Sequence, residues 1–269
     1  MTHFICVTCG TQFSADTQPP SRCPVCEDER QYVGHNGQQW TTLDELRKTH
    51  KNSVRVHEAN LTGIGTDPRF AIGQRALLVQ TPEGNLLWDC ITLLDDETIA
   101  QVQALGGVRA IAISHPHYYS SMIEWSHVFK APIYLHEAER AWVMRPDPAV
   151  EFWEGESKAL WADMTLIRCG GHFAGGQVLH WPAGAEGKGA LLTGDIIQVV
   201  ADRRWVSFMY SYPNLIPLSA LKVQQIVDKV QPFAFDRIYG AWWDTIVPND
   251  AKNAVKNSAA RYIQMIETP

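Results

Sequence analysis

The chain has 269 residues, of which 45% are hydrophobic and 19% are charged. This length exceeds what one core usually needs but is too short for two large domains. The formal net charge of −6 gives no reason to expect a nucleic-acid partner, because such partners require a clustered basic face. No apolar stretch approaches the roughly 20 residues that span a bilayer, and the N-terminus lacks the features of a signal peptide. We therefore expect a cytoplasmic protein without a membrane partner.

Two cysteine pairs lie in the first forty residues. Each has the spacing C-x2-C, and thirteen residues separate the pairs, which are Cys6 with Cys9 and Cys23 with Cys26. Four thiolates on two such turns provide the closed tetrahedral shell of a structural zinc. The segment between the pairs is mostly polar, so a metal would take the place of an apolar core. Two disulfides are the alternative, which a cytoplasmic location disfavours.

Residues 1–40 resemble a zinc ribbon or a rubredoxin-like module. The rubredoxin pattern has glycine after both cysteine pairs, whereas here Gly10 follows the first pair and Glu27 follows the second. This departure favours structural zinc over electron transfer through iron, although ligand spacing alone does not distinguish the two metals.

A connector at 41–52, with a short capped helix at 42–48, leads into a domain at 53–269 in which strands alternate with helices. The predicted helices of this domain are 94–105, 120–130, 137–144 and 248–266. The predicted strands are 53–59, 75–81, 86–90, 108–114, 132–136, 164–169, 177–181, 190–193 and 235–240.

Three histidines of this domain stand in unusual settings. His115 and His117 follow a buried strand one residue apart, and in extended backbone their imidazoles would point the same way. His172 lies in a loop with four glycines. Because glycine adopts backbone conformations that other residues resist, such a loop can form a tight turn that exposes one side chain to a ligand. Asp195 follows the predicted strand 190–193 and Gly194, where it serves as a turn residue, a helix cap or a metal ligand.

The order strand-His-x-His, Gly-Gly-His-x-x-Gly and Thr-Gly-Asp resembles the metallo-β-lactamase-fold hydrolases, from residue 53 to the C-terminus. The resemblance implies an α+β fold, an αββα four-layer sandwich with its metal site at one sheet edge. It also allows Asp89 to be the buried acid that family members place beneath the site; a cap or turn role for Asp89 is equally open.

The residues that would hold a second metal in this family are missing. Tyr119 and Ser120 stand where the family has Asp and His, and Ala241 stands where a late histidine is expected. The first site keeps its residues, with His115, His117 and His172 as ligands and Asp195 as a terminal ligand. This resemblance therefore implies a mononuclear site for zinc or iron.

The missing aspartate leaves the catalytic groups open. Tyr118 or Tyr119 is a candidate donor to a developing oxyanion, although a tyrosine is a poor base. Glu124 is a possible base but more typical of a solvated helix face. By family position, Tyr210, Tyr212 and Trp242 are expected to line an aromatic substrate pocket.

These features favour a metal-dependent hydrolase that acts on a small ester, thioester, lactone or amide. One alternative is a catalytically degenerate sensor or metal-binding protein, since ligands have been lost. The other is a mononuclear-iron or rubredoxin-linked oxidoreductase. The expected partner is a small-molecule substrate, and a homo-oligomer is possible.

Overall fold

Two sheets contain most of the strands in the computed structural model, which describes residues 1–268. The chain forms two compact units. The first comprises Met1–Leu135 and Glu139–Phe152, and the second comprises His136–Ala138 and the residues from Trp153 onward. Within the described range, no helix is both long and apolar enough to cross a bilayer.

The first unit begins with the cysteine-rich segment. Strand β1 (Ile5–Cys6) pairs antiparallel with β2 (Trp40–Thr41), and helix α1 (Pro24–Glu27) starts at the second cysteine pair. Helix α2 (Leu43–Thr49) follows, and the Thr42 hydroxyl caps it by accepting the Glu45 N–H at 3.2 Å. The predicted capped helix at 42–48 is thereby confirmed.

A seven-stranded sheet forms the main body of the first unit, in the order β3-β4-β5-β6-β7-β8-β9. Its central strands are fully buried, as the continuous apolar run at residues 76–79 predicts. Parallel pairing joins β6 to β7 and β7 to β8, and β3 to β6 form an antiparallel meander. The strands are β3 (Lys51–Glu58), β4 (Leu61–Asp67), β5 (Arg75–Val79), β6 (Leu86–Trp88), β7 (Ala110–Ala112), β8 (Ile133–His136) and β9 (Val150–Trp153).

Helical segments connect the parallel strands of this sheet. Helix α3 (Asp96–Ala104) is capped by Asp95, whose carboxylate accepts the Thr98 N–H at 2.8 Å. A 3-10 turn at Pro116–Tyr118 and helix α4 (Met122–Phe129) follow β7. The predicted helix at 137–144 is instead a 3-10 segment, Glu137–Trp142.

The second unit contains a six-stranded sheet and two hairpins. The sheet has the order β10-β11-β12-β13-β18-β19, with one parallel pair, β13 and β18. Its strands are β10 (Ser157–Ala159), β11 (Thr165–Arg168), β12 (Gln177–Trp181), β13 (Ala190–Gly194), β18 (Arg237–Gly240) and β19 (Ile246–Val247). The short helix α5 is Gly184–Gly187, and the hairpins are β14 (Gln198–Val199) with β15 (Val206–Ser207), and β16 (Met209–Ser211) with β17 (Ile216–Pro217).

Helices α6 (Ala220–Val230) and α7 (Ala251–Glu267) pack on the core of this unit. In α6 the buried side chains recur at helical spacing and end at Val230. Neither α6 nor β4 is among the predicted elements. In β4, Gly63 and Gly65 dilute the apolar pattern of a strand, although Leu61 and Ile64 are fully buried.

The predicted boundaries at residues 40 and 52 stay a prediction. What the structure adds is that the cysteine-rich segment belongs to the same compact unit as the seven-stranded sheet.

The glycine that ends α5 and the glycine two residues later provide a test of the packing around this segment. Gly187 and Gly189 have nearly the same left-handed φ, +83° and +86°, but only at Gly189 would an added Cβ meet backbone, 2.1 Å from the Ala234 carbonyl oxygen. We expect Gly187→Ala to lower the free energy of unfolding by about 1 kcal/mol, through backbone strain alone. Gly189→Ala should cost a further 1–3 kcal/mol, roughly, because of the overlap. Equal losses in urea unfolding would contradict the described packing.

Candidate metal centre

The four predicted cysteine ligands come together in the first unit. Their sulfur atoms all lie within 4.8 Å of one another and are buried. The Sγ–Sγ distances are 3.5 Å for Cys6 with Cys26 and 3.7 Å for Cys9 with Cys23. A tetrahedral zinc with bonds of about 2.3 Å requires sulfur atoms about 3.8 Å apart, and both of these sulfur pairs are close to that spacing.

The surroundings of the four-cysteine group shift the pKa values of its thiols in opposite directions. The Gln38 side-chain amide donates to Cys6 Sγ at 3.2 Å. Hydrogen bonds from the neighbouring thiols lower the pKa of Cys6, and the bond with Cys23 has the largest effect. The contact with Cys23, together with burial, raises the pKa of Cys9 and of Cys26. Four buried thiols therefore cannot all ionise by themselves, whereas a bound cation would compensate all four charges.

The histidine pair lies just beyond β7. The strand ends at Ala112, His115 is extended (φ −170°), and His117 is in the 3-10 turn that begins at Pro116. The prediction of extended backbone through both residues is therefore wrong, because the turn begins at Pro116, whose restricted φ suits the first position of a helical turn. The two rings still converge, with centroids 5.1 Å apart.

A chain of hydrogen bonds holds His115. Its Nδ1 bonds to the Ser114 hydroxyl at 2.9 Å, and Asp89 accepts hydrogen bonds from the N–H of Ser114, at 2.7 Å, and from its hydroxyl. Asp89 is buried in the left-handed region (φ 59°), and burial raises its pKa to about 7. The structure thus connects Asp89 to a predicted ligand through Ser114, so that its carboxylate acts on the orientation of the imidazole through this serine.

His172 lies in the glycine loop between β11 and β12 of the second unit. Its Nδ1 donates to the backbone carbonyl of Tyr210 at 2.7 Å. A carbonyl only accepts, so Nδ1 carries the proton and Nε2 keeps its lone pair for a metal. The sequence gives no signal for Tyr210 in this role, since the contact is made by its backbone.

The three predicted histidine ligands form one group. One ring nitrogen from each of His115, His117 and His172 lies within 4.8 Å of the other two, and all three residues are buried. Among the described residues, Asp195 does not belong to this three-histidine group. It is buried, and its backbone carbonyl accepts the Tyr212 hydroxyl at 2.7 Å. A ligand role for Asp195 stays a prediction.

The two predicted tyrosines have different surroundings. The Tyr118 ring lies against His115, with centroids 4.4 Å apart. Tyr119 instead lines a small cavity on the side of the cysteine-rich segment, together with Thr11 and Arg145. Burial, and to a lesser degree Glu139, raises the pKa of Tyr119 well above its usual value, so its hydroxyl stays protonated.

Ser120, which stands at a position where the resemblance predicts a second-site ligand, is buried and hydrogen-bonded. Its hydroxyl accepts the Gln74 side-chain amide at 2.9 Å, and the same amide nitrogen donates to the Cys90 carbonyl at 3.1 Å. Gln74 had no signal in the sequence. Ala241, which replaces the late histidine, is also buried and follows β18 directly.

The predicted substrate residues are partly buried. The Tyr212 ring lies 5.7 Å from the His172 ring, centroid to centroid. Tyr210 packs against the core of the second unit and faces the Lys222 ammonium at 6.0 Å. The loop of Trp242 is held by Thr245, whose hydroxyl donates to the Trp242 carbonyl at 2.6 Å. Their contact with a substrate stays a prediction.

Removing the carboxyl group of Asp89 should destabilise the protein. In Asp89→Ala the buried Ser114 N–H loses its acceptor, which we expect to cost about 1–3 kcal/mol of unfolding free energy. Asp89→Asn keeps an acceptor oxygen and tolerates the left-handed backbone, so it should cost well under half as much. Urea unfolding measures both, and an equal loss in the two variants would show that the hydrogen bond is unimportant.

Counting bound metals tests the two groups separately. We expect about two ions per chain after dialysis, one in each group, and about one in His172→Ala. His127→Ala is the matched control, because the His127 ring is 52% exposed and pairs with Asp147. It should keep both ions by elemental analysis. A total near one in the unmodified chain, lost entirely in Cys6→Ala/Cys9→Ala, would rule out metal in the three-histidine group.

Comparison with known proteins identifies the fold. The chain is similar to the mono-zinc form of the metallo-β-lactamase FIM-1 from Pseudomonas aeruginosa, with a TM-score of 0.60 and 12% identity over 81% of this chain and 97% of that one. It is also similar to a metallo-β-lactamase from Pontibacter korlensis, with a TM-score of 0.58 and 15% identity over 79% and 99% of the two chains. The predicted fold class is confirmed.

No family model matches the sequence. A relative from Bacillus subtilis (strain 168), "Uncharacterized protein YmaE", is 52% identical over all of this chain and 98% of its own length. The chain therefore belongs to the same family as YmaE and has the metallo-β-lactamase fold, with a four-cysteine module at its N-terminus.

Proposed function

We propose that the protein is a mononuclear metal-dependent hydrolase that acts on a small ester, thioester, lactone or amide. The observation that carries this proposal is the three-histidine group, whose ring nitrogens lie within 4.8 Å of one another. Three histidines with an open fourth position suit a catalytic metal rather than a structural one. The metallo-β-lactamase fold supports the same reaction class.

Zinc is the proposed ion of the four-cysteine group, and zinc or iron is the proposed ion of the three-histidine group. Asp195 would be a weakly held fourth ligand there, which water or substrate can displace. An ion in the three-histidine group would polarise the substrate carbonyl and lower the pKa of water. The replacement of three second-site residues, including the buried Ser120 and Ala241, supports one ion rather than two in this group.

The protein's own contribution is to hold the rings in place before the substrate arrives. The Tyr210 carbonyl fixes the tautomer of His172 through a bond of 2.7 Å, and Ser114 holds Nδ1 of His115 at 2.9 Å. Such second-layer contacts preserve the geometry of the site and are worth about 10–100-fold in metal affinity or activity. They leave one nitrogen of each ring for the ion.

We assign Tyr118, rather than Tyr119, as the donor to the oxyanion that develops on the substrate carbonyl. Its ring lies 4.4 Å from the His115 ring, centroid to centroid. Tyr119 lines the cavity beside Thr11 and is the less suitable candidate. A hydroxyl that stays protonated at neutral pH can donate to developing negative charge but cannot accept the proton of the attacking water.

The substrate would contact the aromatic side chains near His172. Tyr212 is the best supported of them, because its ring lies 5.7 Å from that of His172. Tyr210 and Trp242 are proposed to extend the same surface. We also place the protein in the cytoplasm, where a reducing environment keeps the four ligating cysteines as thiols.

Turnover of a substrate panel tests this proposal. Metal-loaded protein should hydrolyse at least one chromogenic ester, thioester, lactone or amide, and His172→Ala should abolish that activity. Tyr118→Phe should lower kcat about 100-fold, as expected for loss of an oxyanion donor, whereas Tyr119→Phe should stay within about twofold. Equal effects of the two tyrosine variants would contradict the assignment of Tyr118.

The alternatives have their own outcomes. If the loaded protein hydrolyses none of the four substrate types, a sensor or binding role replaces the hydrolase. If protein purified in air shows the visible absorbance of an iron–thiolate centre, the rubredoxin-linked oxidoreductase is favoured instead.

A further inference from the structure

The cysteine-rich segment is bonded to the backbone that follows the histidine pair. The Gln12 N–H donates to the Ser120 carbonyl at 3.0 Å. Ser120 is three residues after His117 and begins the approach to helix α4. Both Gln12 and Ser120 are buried, so water cannot replace this hydrogen bond without opening the structure.

Ser120 needs such support because its backbone is strained. Its φ of +46° is in the left-handed region, which a serine does not adopt readily. Gln74 holds the residue from the other side, since its amide donates to the Ser120 hydroxyl at 2.9 Å. Ser120 is thus fixed by one backbone group from the cysteine-rich segment and by one side chain from the residue that precedes β5.

A second contact joins the same segments. The Thr92 hydroxyl donates to the Gly10 carbonyl at 3.1 Å, and the Thr92 carbonyl accepts the Ser121 hydroxyl at 2.7 Å. The approach is close, because a Cβ on Gly10 would lie 2.5 Å from the Thr92 hydroxyl oxygen. Gly10 belongs to the turn of the first cysteine pair, where its N–H donates to the Cys6 carbonyl at 2.8 Å.

Charged groups add a further contact between the cysteine-rich segment and helix α4. Arg145 lies between Gln12 and Glu124, and donates to a side-chain oxygen of each at 2.5 Å. The Arg145 and Glu124 side chains are only 12% and 28% exposed, so solvent screens this pair less than a surface ion pair. Glu124 belongs to helix α4, which follows Ser120, and its pKa is lowered by Arg145 against the effect of burial.

The four-cysteine group orders the segment that makes these contacts. Cys9 is directly followed by Gly10, and the Cys6 N–H donates to the Thr11 carbonyl at 3.0 Å. The buried members of the apolar cluster around the group are the four cysteines with Phe13 and Val25, and the partly buried Trp40, Trp142 and Met144 pack against them. Six buried side chains are too few to be a core by themselves. A metal bound by the four cysteines would therefore add to the contacts that hold Gly10–Gln12 in place.

We propose that Gln74 and the backbone of Gln12 are positioning residues for the three-histidine group, and that they couple its metal affinity to metal binding in the four-cysteine group. A bound ion in the four-cysteine group orders Gly10–Gln12, which fixes Ser120 and with it the turn that carries His117. Because such coupling is reciprocal, each ion strengthens the binding of the other. The inference requires metal in both groups but no hydrolysis, so a negative turnover assay leaves it standing.

Zinc affinity of the three-histidine group tests the coupling in the full chain, by competition with a chelating dye. Cys23→Ser/Cys26→Ser empties the four-cysteine group without substituting any residue of Gly10–Gln12, and should weaken zinc binding by the histidines roughly tenfold. Gln74→Met should weaken it by about tenfold or more. Gln80→Met is the matched control, because Gln80 follows the other end of β5 and accepts the Thr62 hydroxyl at 3.2 Å. It should change the affinity less than about twofold.

Two further readouts separate positioning from a general loss of stability. With cobalt(II) in the three-histidine group, the visible bands that report ligand geometry should shift in Gln74→Met and stay unchanged in Gln80→Met. In His172→Ala, the zinc affinity of the four-cysteine group should fall. The factor should equal the one by which Cys23→Ser/Cys26→Ser weakens zinc binding in the three-histidine group.

An unchanged histidine-site affinity in a folded Cys23→Ser/Cys26→Ser variant would overturn the proposal. If circular dichroism shows that this variant does not fold, the comparison of Gln74→Met with Gln80→Met takes its place as the test. Equal affinities and equal cobalt spectra in Gln74→Met and Gln80→Met would then overturn it, and a difference confined to Gln74→Met would support it.

Discussion

The site depends on one constraint, the convergence of three buried imidazole nitrogens on a single point. Neutral imidazole is expensive to bury unless both ring nitrogens have partners. The protein gives the Nδ1 of His172 a backbone carbonyl and the Nδ1 of His115 the hydroxyl of Ser114. One nitrogen from each of the three rings lies within 4.8 Å of the other two, an arrangement that a bound cation would stabilise. The partners that fix the tautomers of His172 and His115 therefore help to keep the ring nitrogens available to an ion.

Specific contacts hold Ser120, one of the residues on which the proposal of a single ion in the three-histidine group rests. Ser120 does not leave a gap where the family has a second-site histidine, because the Gln74 side chain bonds to it and the backbone of Gln12 holds its carbonyl. These contacts connect the turn after His117 to the cysteine-rich segment, which lies in the same compact unit. The N-terminal module, which the sequence presents as a separate segment, is therefore packed into the first compact unit. The proposed coupling between the two metal groups depends on this packing.

Local patterns in the sequence predict much of this molecule, and long-range contacts account for what they miss. The cysteine spacing and the histidine settings are local, so both ligand groups could be predicted, as could the cap at Thr42. Strand β4 and helix α6 were not predicted, and the turn at Pro116–Tyr118 replaces the predicted extended backbone. Gln74 is 46 residues from Ser120, and Tyr210 contributes only a carbonyl to His172 from 38 residues away. No spacing rule reports a partner at that distance or a contact made by backbone.

Anomalous diffraction from crystals of the full chain, recorded at the absorption edge of the bound metal, tests the central claim most directly. The account predicts two peaks per chain, one surrounded by the four cysteine sulfurs and one by the nitrogens of His115, His117 and His172. The second peak should stand alone. A pair of peaks about 3.5–4 Å apart at the histidines would show a dinuclear centre, and no peak there would show that the three imidazoles converge for another reason. Either result would contradict the account.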